Sequence, residues 1–360
     1  MRIAAISAAE RVAPVLVTWR GTLLAVTLGT AGGWAASALH LPLPWMIGSM
    51  TVTTAAAAFG LPVTVPPVLR AVMVAVLGVM LGSGFSPEMV GRMGEWAISL
   101  AVLGVYTAFA GGAAWLYFRV VCRYDPVTAY FAGMPGGLSV MILVGTEMGG
   151  DPRLISLSQS SRLLLVVMFL PFALQAFAGY QPANRPPVGL PLAELAPGAL
   201  AVLAACAAAG YLGARALKIP AAAIVGPMIL SAAVHLVGWT AAKPPFEVVA
   251  AAQVVVGAAI GGRFAGVDLA TMVRAGVGAA GATAILLAST VGFAFALGSA
   301  LDLPPIALVL AYSPGGLAEM SLIAVALGTD AAFVATHHIV RIFLVVVFAP
   351  LAYRLIRRPR

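Results

Sequence analysis

The chain has 360 residues, 62% of them hydrophobic and 9% charged, with a mean hydropathy of +1.04 and a formal net charge of +8 at pH 7. This composition excludes a soluble globular domain and implies a polytopic membrane protein, because the apolar runs are long enough to cross a bilayer repeatedly. The positive charge does not point to nucleic acid: the basic residues are scattered between apolar segments and cluster only at Arg354, Arg357, Arg358 and Arg360, the pattern of cytoplasmic loop charge.

Taken in order, residues 1–13 are mildly basic and expected in the cytoplasm, and Glu10, Arg11 and Arg20 break any cleavable signal pattern. Predicted helices follow at 20–39, 43–60, 66–85 and 97–118, each bounded by Pro, Gly or charge. An apolar segment at 126–150 is interrupted by Pro135-Gly136-Gly137, and a helix at 156–180 closes the first half. A polar, proline-rich linker over 181–193 leads to a second series at 196–214, 220–239, 246–264, 275–299, an interrupted 304–328 and 332–353. The expected organisation is one membrane repeat at 1–180 and a second at 194–360. Cys122 and Cys206 are isolated, so neither a disulfide framework nor a cysteine metal site is implied.

The halves are copies. Residues 135–171 align without a gap to 314–350, sharing 14 of 37 positions, where roughly four would be expected by chance. The shared residues include both Pro-Gly-Gly triplets, Asp151 with Asp330, and Arg162 with Arg341. The likeness extends outward: PLPWMIGSM from Pro42 faces PAAAIVGPM from Pro220, and Gly78/Gly82 face Gly257/Gly261. The last two pairs are small-xxx-small motifs that let helix backbones approach closely.

If every segment crosses, the Lys and Arg residues of the loops divide 12 to 6 between the two sides. If each Pro-Gly-Gly segment is instead a re-entrant hairpin, leaving five crossings per half, they divide 15 to 3, with only Arg92, Arg185 and Lys243 outside. The second arrangement is favoured. It predicts an all-α fold of two inverted-topology repeats, each of about five transmembrane helices plus one broken segment. Both termini are then cytoplasmic, in a bacterial inner membrane, and the two hairpins meet near the midplane.

The duplicated pattern, with LPLPWMIGSM in the first half, paired PGGL tips and an arginine-bearing helix after each, resembles the bacterial AbrB membrane family over essentially the whole chain. The small soluble DNA-binding proteins of the same name are unrelated to that pattern. The resemblance implies a fold akin to cation/proton antiporters and anion transporters, with glycine-tipped hairpins like those of citrate and glutamate symporters. It also implies a role as a transporter or as a regulator of gene expression; many members carry the label ammonia monooxygenase.

A helix that begins after a Pro-Gly-Gly break exposes free amides and a partial positive charge, which favour an anion. Each of Arg162 and Arg341 lies 11 residues past the shared aspartate, about 15 Å along its helix. At a cost of about 2.5 to 3.5 kcal/mol in apolar surroundings, each should have a partner. Two accounts stay open: an ion pair with Glu147 or Glu319, or capture of an anionic solute. Helical spacing puts Ser158 and Gln159 beside Arg162, and His337 and His338 beside Arg341, and His337 is a candidate proton carrier. The candidate substrate-binding residues are Pro135, Gly136, Gly137, Ser139, Ser158, Gln159 and Arg162, then Pro314, Gly315, Gly316, Glu319, Ser321, His337, His338 and Arg341.

With four histidines, of which the adjacent His337 and His338 diverge by about 100° on a helix, no metal or other cofactor is expected and monooxygenase chemistry is disfavoured. Without a P-loop, transport should be secondary, driven by H+, Na+ or the solute's own gradient. Expected partners are membrane lipid and a small solute, with no nucleic acid; a homodimer is left open. The two readings carried forward are a secondary transporter of a small anionic solute and a membrane-embedded regulator of gene expression.

Overall fold

The computed structural model describes residues 18–87, 91, 93–178 and 189–356. Residues 181–188 of the linker, and Arg2, Arg11, Arg92, Arg185, Arg357, Arg358 and Arg360 of the charge count, lie outside the described residues. Among the described residues every regular element is a helix. The first half contains α1 (Trp19–Ala38), α2 (Pro44–Ala58), α3 (Pro67–Gly82), α4 (Ala97–Val120), α5 (Pro126–Gly133), α6 (Leu138–Glu147) and α7 (Pro152–Ala178). The second contains α8 (Pro197–Ala216), α9 (Ala222–Leu236), α10 (Phe246–Gly261), α11 (Leu269–Leu301), α12 (Pro305–Tyr312), α13 (Leu317–Leu327) and α14 (Ala331–Ile356).

Except for the longer α11, each second-half helix begins 178 or 179 residues after its counterpart. Both interrupted segments are two short helices in series, α5–α6 and α12–α13, as the Pro-Gly-Gly breaks require. The shared aspartates start the helices that follow: Asp151 Oδ1 accepts from Arg153 N at 2.8 Å, and Asp330 Oδ1 from Phe333 N at 2.9 Å. Left-handed backbone recurs as well, at Leu43 (φ 47°) and Ala221 (φ 54°), which cap α2 and α9. Such a conformation costs a non-glycine residue roughly 1 to 2 kcal/mol, so its appearance at both places marks one turn geometry kept twice.

Among the described residues, six helices are long and apolar enough to cross a membrane: α4, α7, α8, α10, α11 and α14. The remaining four of the ten predicted crossings, α1, α2, α3 and α9, fall short in length or apolarity. At 15 or 16 residues, α2, α3 and α9 extend only about 22 to 24 Å, against a hydrocarbon core of about 30 Å.

Packing regroups the halves into two bodies. One joins α1–α3 to α8–α10, and the other joins α4–α7 to α11–α14. In the first body helices of opposite halves, α2 with α10 and α3 with α9, pack as extensively as the same-half pairs α1 with α2 and α8 with α9. The small-xxx-small motifs make these crossings. A Cβ at Gly78 would lie 2.5 Å from the Ile224 carbonyl oxygen, and one at Gly257 would lie 2.6 Å from that of Met46. Gly32 meets Gly48 where α1 crosses α2, and Gly210 meets Gly226 where α8 crosses α9, each too tightly to admit a side chain. Helix association in lipid lacks the hydrophobic driving force of water, so close backbone contact supplies much of it.

Gly257→Val should therefore push α10 off α2 and destabilise the protein by about 1 to 3 kcal/mol. Gly112→Ala in α4, where nothing lies within 4 Å of the new Cβ, should be neutral or raise stability by up to about 1 kcal/mol through helix propensity. Thermal unfolding of the two purified variants in detergent checks the pair.

Candidate functional site

The site is built from two breaks and two arginines. A helix that stops inside apolar protein leaves its last carbonyls without amide partners. α5 stops at Gly133 and α12 at Tyr312, both in fully buried surroundings. In each half the long helix that follows the tip supplies the missing donors.

In the first half, Gln159 Nε2 donates to the carbonyls of Phe131 at 2.7 Å and Met134 at 3.1 Å. Arg162 donates through Nη1 to Met134 O at 3.2 Å and through Nη2 to Gln159 Oε1 at 2.8 Å. In the second half, His338 Nε2 donates to Leu310 O at 3.0 Å. Arg341 donates to Ser313 O at 2.6 Å, Tyr312 O at 3.4 Å, Gly315 O at 2.9 Å and His338 Nδ1 at 2.9 Å. Because a carbonyl can only accept and a guanidinium can only donate, His338 is the neutral tautomer with its proton on Nε2. Gln159 and His338 thus play one role with different chemistry: each donates to the half-helix end and accepts from the arginine.

Of the two accounts left open for these arginines, the ion pair does not form. Neither Glu147 nor Glu319 pairs with Arg162 or Arg341; Glu147 is exposed, and carbonyls at the C-terminal, partially negative ends of α5 and α12 take its place. The two arginines are 7% and 2% exposed, and the Nε of each is buried with no partner among the described residues.

Both tips open on one cavity of about 660 Å³ between the two bodies, within the range of small-molecule sites. Of the sequence-derived candidates, Pro135, Gly136, Gly137, Ser139, Gln159, Arg162, Pro314, Gly315, Gly316, Glu319 and Arg341 line it. Gly137 and Gly316 are the N-caps of α6 and α13, so the first amides of both helices start at the cavity. The other four candidates do not reach its wall. Ser158 and Ser321 are buried elsewhere, and His338 is held behind Arg341. His337 turns toward α4, with Nδ1 donating to Phe333 O at 2.8 Å and Nε2 2.9 Å from Ser99 Oγ. The residue three before each arginine shares its task, and the residue four before does not.

Two functional candidates escaped sequence reasoning. Arg70, in the first turn of α3, and Arg263, just past the end of α10, line the cavity from the opposite wall. In the sequence both read as topological loop charge. Neither side chain makes a hydrogen bond to a described residue, and Arg70 Nε is buried. The cavity wall thus carries four arginines and one carboxylate, Glu319, a strongly cationic chamber in low-dielectric surroundings. Amides, guanidinium donors and net positive charge together can bind a small anion.

A family model described as "Transition state regulatory protein AbrB" matches residues 45–357. The chain is 28% identical over 365 aligned positions to "Uncharacterized protein YhjN" of Bacillus subtilis (strain 168), covering 92% of each. It is 25% identical over 330 positions to "Putative regulator AbrB" of Escherichia coli (strain K12), covering 89% of this chain and 91% of that protein. No solved structure matches the chain.

His338→Gln should be tolerated, because glutamine already does this work in the first half. His338→Ala leaves the Leu310 carbonyl and an Arg341 donor unmade and should cost about 1 to 3 kcal/mol. Comparing melting temperatures of the two variants with wild type checks both expectations.

Proposed function

The chain belongs to the AbrB family, and on that footing we propose that it is an inner-membrane secondary transporter of a small anionic solute such as a carboxylate. The observation that carries this reading is the shared cavity. Two half-helix N-termini open into it beside Arg162 and Arg341, which line its wall and hold more guanidinium N–H donors than the tip carbonyls take up. A buried guanidinium charge without a counter-charge is costly, and an anion between the tips would offset both. The solute-binding wall belongs to the body formed by α4–α7 and α11–α14, and the facing wall to the other, so relative movement of two packed bodies could expose the cavity to each side in turn. Inverted repeats with both termini inside fit the charge bias and the recurrence of each helix at one offset.

A second reading has one observation in its favour, the name regulator borne by the Escherichia coli relative. Deletion separates the two: a regulator changes transcripts without a matching change in solute flux, and a transporter changes flux first.

Proteoliposomes should take up at least one of a panel of small carboxylates. Arg341→Lys and Arg162→Lys, which keep the charge and lose the planar fork, should slow that uptake by about 10-fold or more while the protein stays monodisperse in the membrane. Wild-type protein that moves no anion under H+ or Na+ gradients would overturn the transporter reading. For topology, single cysteines at Asn184 should label from outside the cell and those at Arg215 and Arg358 from inside only; Asn184 and Arg358 on one side would exclude the inverted arrangement.

A further inference from the structure

The tips match in backbone but not in charge. Glu319 is the third residue of α13, and Val140 holds the same place in α6. The carboxylate folds back over the helix start, so that a Cβ on Gly316 would collide with Glu319 Oε2. An acid at this position reaches the free amides at the helix N-terminus. Glu319 therefore occupies in one tip the anion position that stands open in the other. It is 6% exposed and is the one acidic side chain on the cavity wall among the described residues.

Across the cavity stand Arg70 of α3 and Arg263 after α10. Both act on Glu319 electrostatically, yet neither forms a hydrogen bond or ion pair with it. The other charged groups on the wall are Arg162 of α7 and Arg341 of α14, held by their carbonyls. Glu319 is thus a counter-anion placed near two cations without being fastened to them, an arrangement suited to exchange.

We propose that Glu319 is the cavity's exchangeable counter-anion: a solute anion seated at the tips beside Arg162 and Arg341 also engages Arg70 and Arg263 across the cavity, and Glu319, no longer offset by them, takes up a proton from water. The sequence of charges balances. One negative solute group enters, one proton adds to a Glu319 oxygen, and the net charge of the chamber is unchanged. Neutralising the nearby cations favours the protonated carboxyl because a buried carboxylate without a counter-charge is strongly disfavoured. Solute and proton then cross together, and a dissipated proton gradient would drive solute accumulation. The inference rests on the transporter reading for its solute, but the proton site is testable without one.

The test is labelling of the purified protein by dicyclohexylcarbodiimide, which reacts with protonated carboxyl groups, followed by peptide mass analysis. Wild type should carry an adduct at Glu319 that grows as pH falls and is absent in Glu319→Gln. In the Arg70→Gln/Arg263→Gln variant, which mimics cations already neutralised, the half-labelling pH should rise by about one unit or more. No adduct at Glu319 at any pH from about 5 to 9, or a half-labelling pH indifferent to loss of both arginines, overturns the proposal. In proteoliposomes, the ratio of uptake with an inward proton gradient to uptake without one should exceed one for wild type and fall to about one in Glu319→Gln. An unchanged ratio overturns the coupling. A wild type that moves no solute counts against the transporter reading, and the labelling result then decides the proton site by itself.

Discussion

A helix cut in two inside a membrane must bring its own replacement for water, and that requirement organises this protein. Each unsatisfied carbonyl in apolar surroundings costs several kcal/mol, and a buried guanidinium costs about 2.5 to 3.5 kcal/mol on its own. Placed together, the two costs offset one another. Arg162 and Arg341 close the ends of α5 and α12, with Gln159 and His338 as braces. The position of each arginine follows from the structural necessity: an arginine that caps a half-helix is held at the tip, on the wall of the cavity.

The fold repeats in shape, while the chamber differs in chemistry from one side to the other. Helix starts, left-handed turns and glycine crossings recur between halves. Glutamine gives way to histidine, and valine to glutamate, at matched positions of the two tips. Arg70 and Arg263 have Val249 and Gly84 at their equivalent positions, so the cationic wall has no copy. A duplicated frame holds geometry constant, and divergence of a few side chains then gives one tip an acid and the facing wall two arginines that the other half does not repeat.

Much of the frame is readable from residues because the cues are local. A Pro-Gly-Gly break, an aspartate before a helix and glycines four apart each act within a turn or two, and the predicted and observed segments coincide closely. What the arginines hold is less readable. An acid such as Glu147 is the conspicuous partner in a sequence, whereas a carbonyl freed by a break carries no letter of its own, and only the path of the chain shows that Met134 and Ser313 point back at the helix. His337 and His338 differ by one residue and 100° of arc, too little for spacing to choose between them. Arg70 and Arg263 sit near helix ends, where loop charge and cavity charge look alike until helices from distant parts of the chain are packed together.

The crossing of α2 with α10 and of α3 with α9 has a consequence for how the chain is made. These glycine-lined faces belong to one body, but α2 and α10 begin 202 residues apart and α3 and α9 begin 155 apart. At about 5 to 20 residues per second, α2 and α3 wait roughly 8 to 40 s before their partners are synthesised. During that interval α2 and α3 present bare backbone to lipid, short of full membrane length. A pause or truncation between the halves would leave α2 packed on α1 but α3 and the α10-facing side of α2 without the partners they meet in the folded chain.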